Sequence, residues 1–530
     1  KRVDDLLSRM TLEEKTNQMV TLYGYGRVLE DPLPTEEWKN EIWKDGLGNI
    51  DEHLNSIESP DTEHTYPYSN HARAINKTQR FFIEETRLGI PVDFTNEGIR
   101  GLCHKKATSF PAQIGQGSTW DVDLINQIGH ITGREAKTMG YTNIYSPILD
   151  LSRDPRWGRT VETYGENPYL TSELGKAMVT GLQDEGVAST AKHFAIYGIP
   201  KGGRDGDART DPHAYTQELH ELHLRPFREA ISEAGALGVM SSYNDYNGVP
   251  ITGSKEFLTH ILTKLGFEGY IVSDSGALNH LHSKHRVATS YKDAVRVATQ
   301  AGLNVRTNFT PPSDFVMPLR ELVKEGKVSE QTIDERVRDV LRVKFRLGLF
   351  DEPYVEDPAK ADELVNNEEA QELALRASRE SIVLLKNDNN TLPLNPDDIN
   401  SLLVTGPMSK RVDHSISRYG PTQIDVISAF EGIQTAAEGN FTVEYAEGSP
   451  VIGETWPNSE LIQPEAPSQE ARKMIDEAVE KAQGKDAVLA FLGETEKMVG
   501  ESRSRTGLDR PPVQLHLINA LPQTGTPFIL

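Results

Sequence analysis

Through its first 350 residues the chain alternates short apolar runs with stretches of helical spacing. The runs lie at 91–94, 143–149, 187–191, 238–242, 270–273 and 303–305. Strands that alternate with helices come out parallel, because each crossover returns the chain to the same end of the sheet. The sheet is either open or closed into a barrel, and the periodicity is compatible with both. Ile333, Val337, Val340, Leu341 and Lys344 share one helical face, with Gly348 as the stop. Thr11 and Glu14 have the spacing of a capping box that opens an early helix.

The acidic, proline-containing stretch 351–372 has few apolar anchors and reads as a linker after a first domain of residues 1–350. Residues 373–530 form a second α/β domain. A helix is predicted over 374–385, and strands at 402–404, 443–445, 487–492 and 527–530. The last run reads as a strand just entering a core, so the second domain is expected to be incomplete and to continue past 530. The first residue is Lys1, so any signal peptide would already be lost.

Charge narrows the partners. There are 56 Lys and Arg against 79 Asp and Glu, a net charge of −23. Nucleic acid and anionic membranes call for the opposite sign. No window offers the roughly 18 consecutive apolar residues of a membrane helix. The single cysteine, Cys103, excludes an intrachain disulfide and a cysteine-based zinc site.

In parallel α/β architectures the chemistry sits beyond the carboxyl ends of the strands. Here those ends carry Asn96-Glu97-Gly98, Asp150 with DPRWGR at 154–159, Lys192-His193, Tyr243-Asn244 and Asp274-Ser275-Gly276. Five polar ends form a converging pocket if the sheet closes. Carboxylates, cations and a histidine beside an aromatic such as Trp157 suit a neutral polyol. A phosphate would call for glycine-rich backbone cradles instead. Several of these residues also have structural readings. Lys192 can be a salt-bridge partner, His193 a satisfied buried histidine, and Glu162 and Glu166 caps or partners of the nearby arginines. Asp274, directly after an apolar strand, has no such packing role.

Three other patterns carry no site. His220 and His223 are three apart, whereas a zinc-protease helix needs a spacing of four. His280, His282 and His285 read as a solvated run. Gly24 and Gly26 lack the third glycine of a dinucleotide fingerprint.

Taken together, the motifs resemble glycoside hydrolase family 3, the β-glucosidase and β-xylosidase group. They are FPAQIGQGSTWD at 110–121, SRDPRWGRTVETYGENP at 152–168, AKHFAIYG at 191–198, GVMSSYNDYNGVP at 238–250, YIVSDSGAL at 270–278 and VKFRLGLFDEPY at 343–354. SIVLLKNDNNTLPL at 381–394, VTGP at 404–407 and GESRSRTGL at 500–508 extend the resemblance through the second domain. It implies a (β/α)8-type, TIM-like barrel followed by an α/β sandwich, often with a fibronectin type III-like domain, which is expected to lie outside the present chain, beyond 530. It also implies a retaining double displacement with no metal and no cofactor.

In that chemistry one carboxylate attacks and a second carboxyl donates and later removes a proton. The resemblance implies Asp274 as nucleophile and Glu501, in GESRSR, as acid/base, with Glu494 as the competing choice. It further implies Glu97, Arg159, Lys192, His193 and Tyr243 as hydrogen-bonding residues of the sugar pocket, with Met240 on its wall. Glu97 departs from the aspartate common in glucosidases of the family, and Ser275 from the tryptophan common after the nucleophile. Asn167 replaces a common aspartate and reads as structural.

The expected activity is exo-acting β-D-glucosidase, with β-D-xylosidase as the alternative, because the longer Glu97 can crowd a hydroxymethyl group. An N-acetylglucosaminidase reading rests on Asp211 and His213, and the signature before them is missing. A phosphorylase would need an anion site that the sequence does not reveal. A non-catalytic carbohydrate-binding protein on the same fold is the reading from another class, and the presence of both carboxylates argues against it. The expected partners are an oligosaccharide and a second copy in a homodimer, in a periplasmic or secreted setting. Glycosylation sequons occur at Asn76, Asn308, Asn389 and Asn440.

Overall fold

The computed structural model describes residues 1–24, 33–36, 42–54, 63–198, 211–413, 419–456 and 466–530. The chain divides into two compact units. The first comprises 1–154, 160–382 and 419–424, and the second 155–159, 383–418 and 425–530.

In the first unit seven parallel strands follow one another in chain order: Thr21–Tyr23, Asn49–Asp51, Asp93–Glu97, Asn143–Tyr145, Ala188–Phe194, Gly238–Ser241 and Tyr270–Ser273. Each pairs with the next. The segment predicted as a strand at 303–305 supplies the missing stave. Val305 bridges Val272 of the last strand, and Arg306 bridges Val20 beside the first. The Arg306 amide donates to the Met19 carbonyl at 2.9 Å, and the Thr21 amide to the Arg306 carbonyl at 2.9 Å. The sheet is therefore closed, which leaves no edge to protect.

The helices outside the staves are held by the features that the sequence offers. Thr11 and Glu14 form the predicted capping box. Helix Glu330–Arg346 buries Ile333, Val337, Val340, Leu341 and Lys344, and Gly348 follows it at φ 72°. Asn167 caps helix Pro168–Asp184 by accepting from the amides of Tyr169 and Leu170, which explains a non-catalytic residue at that position.

Strand boundaries shift where a buried polar layer decides them. The third strand runs over Asp93–Glu97 rather than 91–94. Asp93 is buried and accepts from Thr142 Oγ1 at 2.6 Å and Tyr270 Oη at 2.7 Å. Those partners pin the start of the strand inside the barrel. Likewise Ala188–Phe194 extends past 191 to include Lys192 and His193, while the fourth strand stops at Tyr145.

The second unit holds a parallel four-stranded sheet in the order Thr442–Ala446, Ser401–Thr405, Ala487–Ala490 and Phe528–Ile529. Helices Ala429–Ala437, Gln469–Ala482 and Pro512–Ala520 accompany it. Its core joins Leu403, Ala446, Ile475, Ala478, Val488 and Leu517. The stretch expected as a linker over 351–372 lies within the first unit and carries helix Lys360–Leu364 and the start of helix Glu368–Glu380. The division between units falls at 382/383 instead. The helix predicted over 374–385 begins earlier and ends at Glu380, and Ile382 to Leu385 are exposed. Alanines on one face of that helix, Ala370, Ala374 and Ala377, bury it against the first unit.

Candidate active site

Asp274 follows the strand Tyr270–Ser273 at the carboxyl end of the barrel and is 8% exposed. Its Oδ1 accepts from Tyr243 Oη at 2.7 Å and from the Ser275 amide at 2.7 Å. Its own amide donates to the Ser241 carbonyl at 3.1 Å. Two short donors on one oxygen fix the carboxylate's orientation. Tyr243 is held in turn from behind, where His285 Nε2 donates to the Tyr243 carbonyl at 2.8 Å. His280 packs on the Tyr243 ring with centroids 5.5 Å apart. Two members of the expected solvated histidine run therefore support Tyr243.

The adjacent strand ends bring the other candidates in. Lys192 Nζ donates to both oxygens of Glu97, at 2.7 and 2.5 Å. Both residues are buried, and the Tyr419 ring lies 4.7 Å from the ammonium. His193 Nδ1 pairs with Asp150 Oδ2 at 2.7 Å, and Nε2 stands 3.7 Å from Asp274 Oδ2. The imidazole thus bridges two carboxylates. Asp150 also accepts the His193 amide at 3.2 Å. It was legible only as one more strand-end polar residue, yet it sets the orientation of His193. Met240, expected on a pocket wall, is buried in an apolar cluster inside the barrel with Tyr145, Tyr270, Val272 and Val305.

Arg159 is placed by a different set of contacts. It belongs to the second unit, where its Nη1 donates to Glu501 Oε1 at 3.4 Å. The backbone explains the pairing. Trp157 forms an antiparallel bridge with Ser504. The Gly158 amide donates to the Arg503 carbonyl at 3.1 Å, and the Gly500 amide to the Gly158 carbonyl at 2.7 Å. A Cβ on residue 158 would collide with the carbonyl oxygens of Arg503 and Gly500. Only glycine lets the two segments lie this close. The two motifs RWGR and GESRSR are therefore joined by backbone hydrogen bonds, although some 340 residues separate Arg159 from Glu501 in sequence (|i−j| = 342).

Glu501 is 6% exposed. Burial disfavours its charged form and the Arg159 guanidinium favours it, so the two act in opposition. Glu494 pairs closely with Arg505, whose guanidinium also stands 5.5 Å from the Trp456 ring.

Among the described residues no cluster of three or more His, Cys, Asp or Glu can hold a metal ion, and no helix is long and apolar enough to cross a membrane. Gly26 and residues 199–210, part of the stretch before Asp211 and His213, lie outside the described residues. His213 is exposed.

The comparisons with known proteins agree with this geometry. The model of the glycosyl hydrolase family 3 N-terminal domain matches residues 11–343, and that of the C-terminal domain matches 382–530. A periplasmic β-glucosidase from Salmonella typhimurium is 32% identical over 550 residues, covering 100% of this chain and 67% of the relative. A putative β-xylosidase from Formosa agariphila is 32% identical over 553 residues with the same coverage. The chain thus spans about two thirds of the length of these relatives. Among solved structures, a β-glucosidase from Erythrobacter marinus superposes with a TM-score of 0.88 at 32% identity, covering 99% of this chain and 70% of that one. A mutant β-glucosidase from Listeria innocua in complex with laminaribiose gives 0.81 at 28% identity, covering 99% and 68%. With both domain models matched and the fold shared throughout, the chain belongs to glycoside hydrolase family 3.

Proposed function

We propose that the protein is an exo-acting retaining β-glycosidase that releases terminal β-D-glucose from oligosaccharides. The observation that carries this reading is the Asp274 carboxylate. It is buried at the carboxyl end of a closed barrel, oriented by Tyr243 and Ser275, with His193 Nε2 3.7 Å from its second oxygen. The β-glucosidases among the relatives and solved structures support the glycone.

Asp274 is the proposed nucleophile. One carboxylate oxygen bonds to the anomeric carbon as the glycosidic bond breaks, giving a glycosyl ester. Glu501, in the second unit, is the proposed acid/base. It gives its proton to the leaving oxygen, then takes a proton from the water that cleaves the ester. The stereochemistry is inverted twice and so retained. Glu97, Lys192, His193 and Arg159 are the proposed sugar-binding groups. Together they offer both donors and acceptors, as a polyol requires. Met240 lies beneath them as packing.

A β-D-xylosidase is the second reading, and Glu97 favours it. The side chain is one methylene longer than the common aspartate, and xylosidases from Formosa agariphila stand among the relatives. A periplasmic or secreted location is the accompanying proposal, supported by the periplasmic relative. A homodimer is proposed for the assembled state.

The test is hydrolysis of aryl β-glucoside, β-xyloside, N-acetyl-β-glucosaminide and α-arabinofuranoside by the intact enzyme and by Asp274→Ala. A dominant β-glucoside rate that vanishes in Asp274→Ala is the expected result. A dominant β-xyloside rate establishes the second reading. Substantial turnover by Asp274→Ala sinks the nucleophile assignment.

A further inference from the structure

Residues Tyr419–Ile424 belong to the first unit, although the chain on either side of them, Val383–Arg418 and Asp425–Leu530, belongs to the second. The loop after Glu97 holds this segment. Arg100 Nη2 donates to the Pro421 carbonyl at 2.7 Å, and its Nη1 to Ser109 Oγ at 2.8 Å. The Lys105 carbonyl accepts from the Thr422 and Gln423 amides at 3.2 and 2.7 Å. A Cβ on residue 420 would collide with Arg100 Cγ, Nε and Cζ, so the segment lies directly on the arginine. Arg100 is 0% exposed. Burying a guanidinium is costly unless it is hydrogen-bonded, so Arg100 stays where these acceptors are. The loop is fixed in its turn. The Cys103 amide donates to the Glu97 carbonyl at 2.8 Å, and Asn96 Nδ2 to the Cys103 carbonyl at 3.1 Å.

What the segment delivers is Tyr419. Its backbone is held at φ 65°, in the left-handed region that a bulky residue rarely adopts. Such a conformation persists only where the neighbours over-determine it, and ligand clamps are among the places where it collects. The ring stands 4.7 Å from the Lys192 ammonium, which donates to both oxygens of Glu97. Lys192 and Glu97 are buried and the tyrosine is half-buried, so the ring is the most exposed member of the three.

We propose that Tyr419 is a substrate-contacting residue that lays an aromatic face against the sugar held by Glu97 and Lys192, and that Arg100 is the positioning residue that keeps it there. The proposal rests on the reading of Glu97 and Lys192 as sugar-binding groups. A pyranose presents hydroxyls, which the ion pair can take, and C–H faces, which it cannot. An aromatic ring takes the second. The ring also draws the ammonium towards its negative face, which leaves Lys192 two fixed partners and little freedom to follow a misplaced sugar. These contacts form when the sugar binds and persist through the reaction, so their loss is read in KM.

The experiment measures kcat and KM of the intact enzyme on aryl β-glucoside and β-xyloside, and inhibition by free glucose and xylose. Tyr419→Ala is expected to raise KM about tenfold with kcat within about threefold of wild type. Tyr419→Phe keeps the ring and is expected to recover most of that loss. Arg100→Met, checked for folding by its melting temperature, is expected to raise KM about as much as Tyr419→Ala, because it releases the segment. Gly420→Ala makes the same test without removing the buried guanidinium, since the added Cβ pushes the segment off Arg100. Either change added to Tyr419→Ala should raise KM less than about twofold further, because the effect runs through Tyr419. An unchanged KM in Tyr419→Ala overturns the proposal. So do losses that multiply in the double variants, or Arg100→Met and Gly420→Ala proteins that melt earlier with KM unmoved. Lys192→Met run alongside separates the two readings. If free glucose and xylose inhibit it as they inhibit wild type, the sugar-binding reading of the pair fails. If that inhibition weakens while Tyr419→Ala keeps its KM, only the role of Tyr419 fails.

Discussion

Replacing Lys192 by methionine leaves the Glu97 carboxylate buried beside the apolar stem without the ammonium that meets both of its oxygens at 2.7 and 2.5 Å. Both partners are desolvated, at 1% and 7% exposure. Breaking a buried pair from one side costs about 3–5 kcal/mol, whereas replacing both members by neutral groups of similar size is close to neutral. Lys192→Met is therefore expected to destabilise the first unit by about 3–5 kcal/mol. The double variant Glu97→Gln/Lys192→Met should recover all but about 1–2 kcal/mol of that.

The first unit has about 380 residues. Its unfolding entropy at about 2.1 cal/mol/K per residue comes to roughly 0.8 kcal/mol/K. The single variant should then melt about 4–6 °C below wild type, and the double variant about 1–2 °C below. Scanning calorimetry is the assay, because two compact units can melt in separate transitions that enthalpy distinguishes. A Lys192→Met melting temperature within 1 °C of wild type would refute the reasoning, and so would a double variant no more stable than Lys192→Met. Either result would mean that water or another group neutralises Glu97. Both variants should be poor catalysts, so stability and activity report on different roles of the same pair.

Burial pushes the Lys344 ammonium down to about 7, although Gln18 Oε1 and the Leu47 carbonyl accept from it at 2.7 and 3.2 Å. In the unfolded chain it keeps its proton up to about 10.4, so the cost of burial is full below pH 7 and is relieved as pH rises above it. The stability of Lys344→Met relative to wild type should therefore fall by about 2.6 kcal/mol between pH 6 and 9; a constant difference would show that the lysine keeps its ordinary pKa. Gly158→Ala must push the 500–504 segment away, at a cost of about 1–3 kcal/mol. It should slow substrates with poor leaving groups far more than dinitrophenyl glycosides, and equal loss on both would count against Glu501 as acid/base. Thr11→Ala removes the side chain that caps helix Leu12–Asn17 and should cost about 1 kcal/mol in urea unfolding; no loss would mean that the Glu14–Arg87 pair holds that helix end alone.

Local signals carried a good part of this reading. The βα alternation, the Thr11–Glu14 box and the face of helix Glu330–Arg346 depend on neighbours within one or two turns, so the order of residues is enough to expose them. The same holds for Asp274. A carboxylate directly after an apolar strand is visible wherever the strand is visible.

Other features depend on partners distant along the chain. The strands Thr21–Tyr23 and Asn49–Asp51 are three residues long and point polar side chains into the barrel, so they lack an apolar signature. The stave at 304–306 exists only because it bridges the first and last strands. Closure of the sheet and the match of RWGR with GESRSR are both matters of register. Register is set by which buried polar groups and which glycines can face one another across strands, as at Asp93 and Gly158. Those constraints act through space, so residue spacing shows which side chains are available for chemistry, and the closed barrel determines which of them meet.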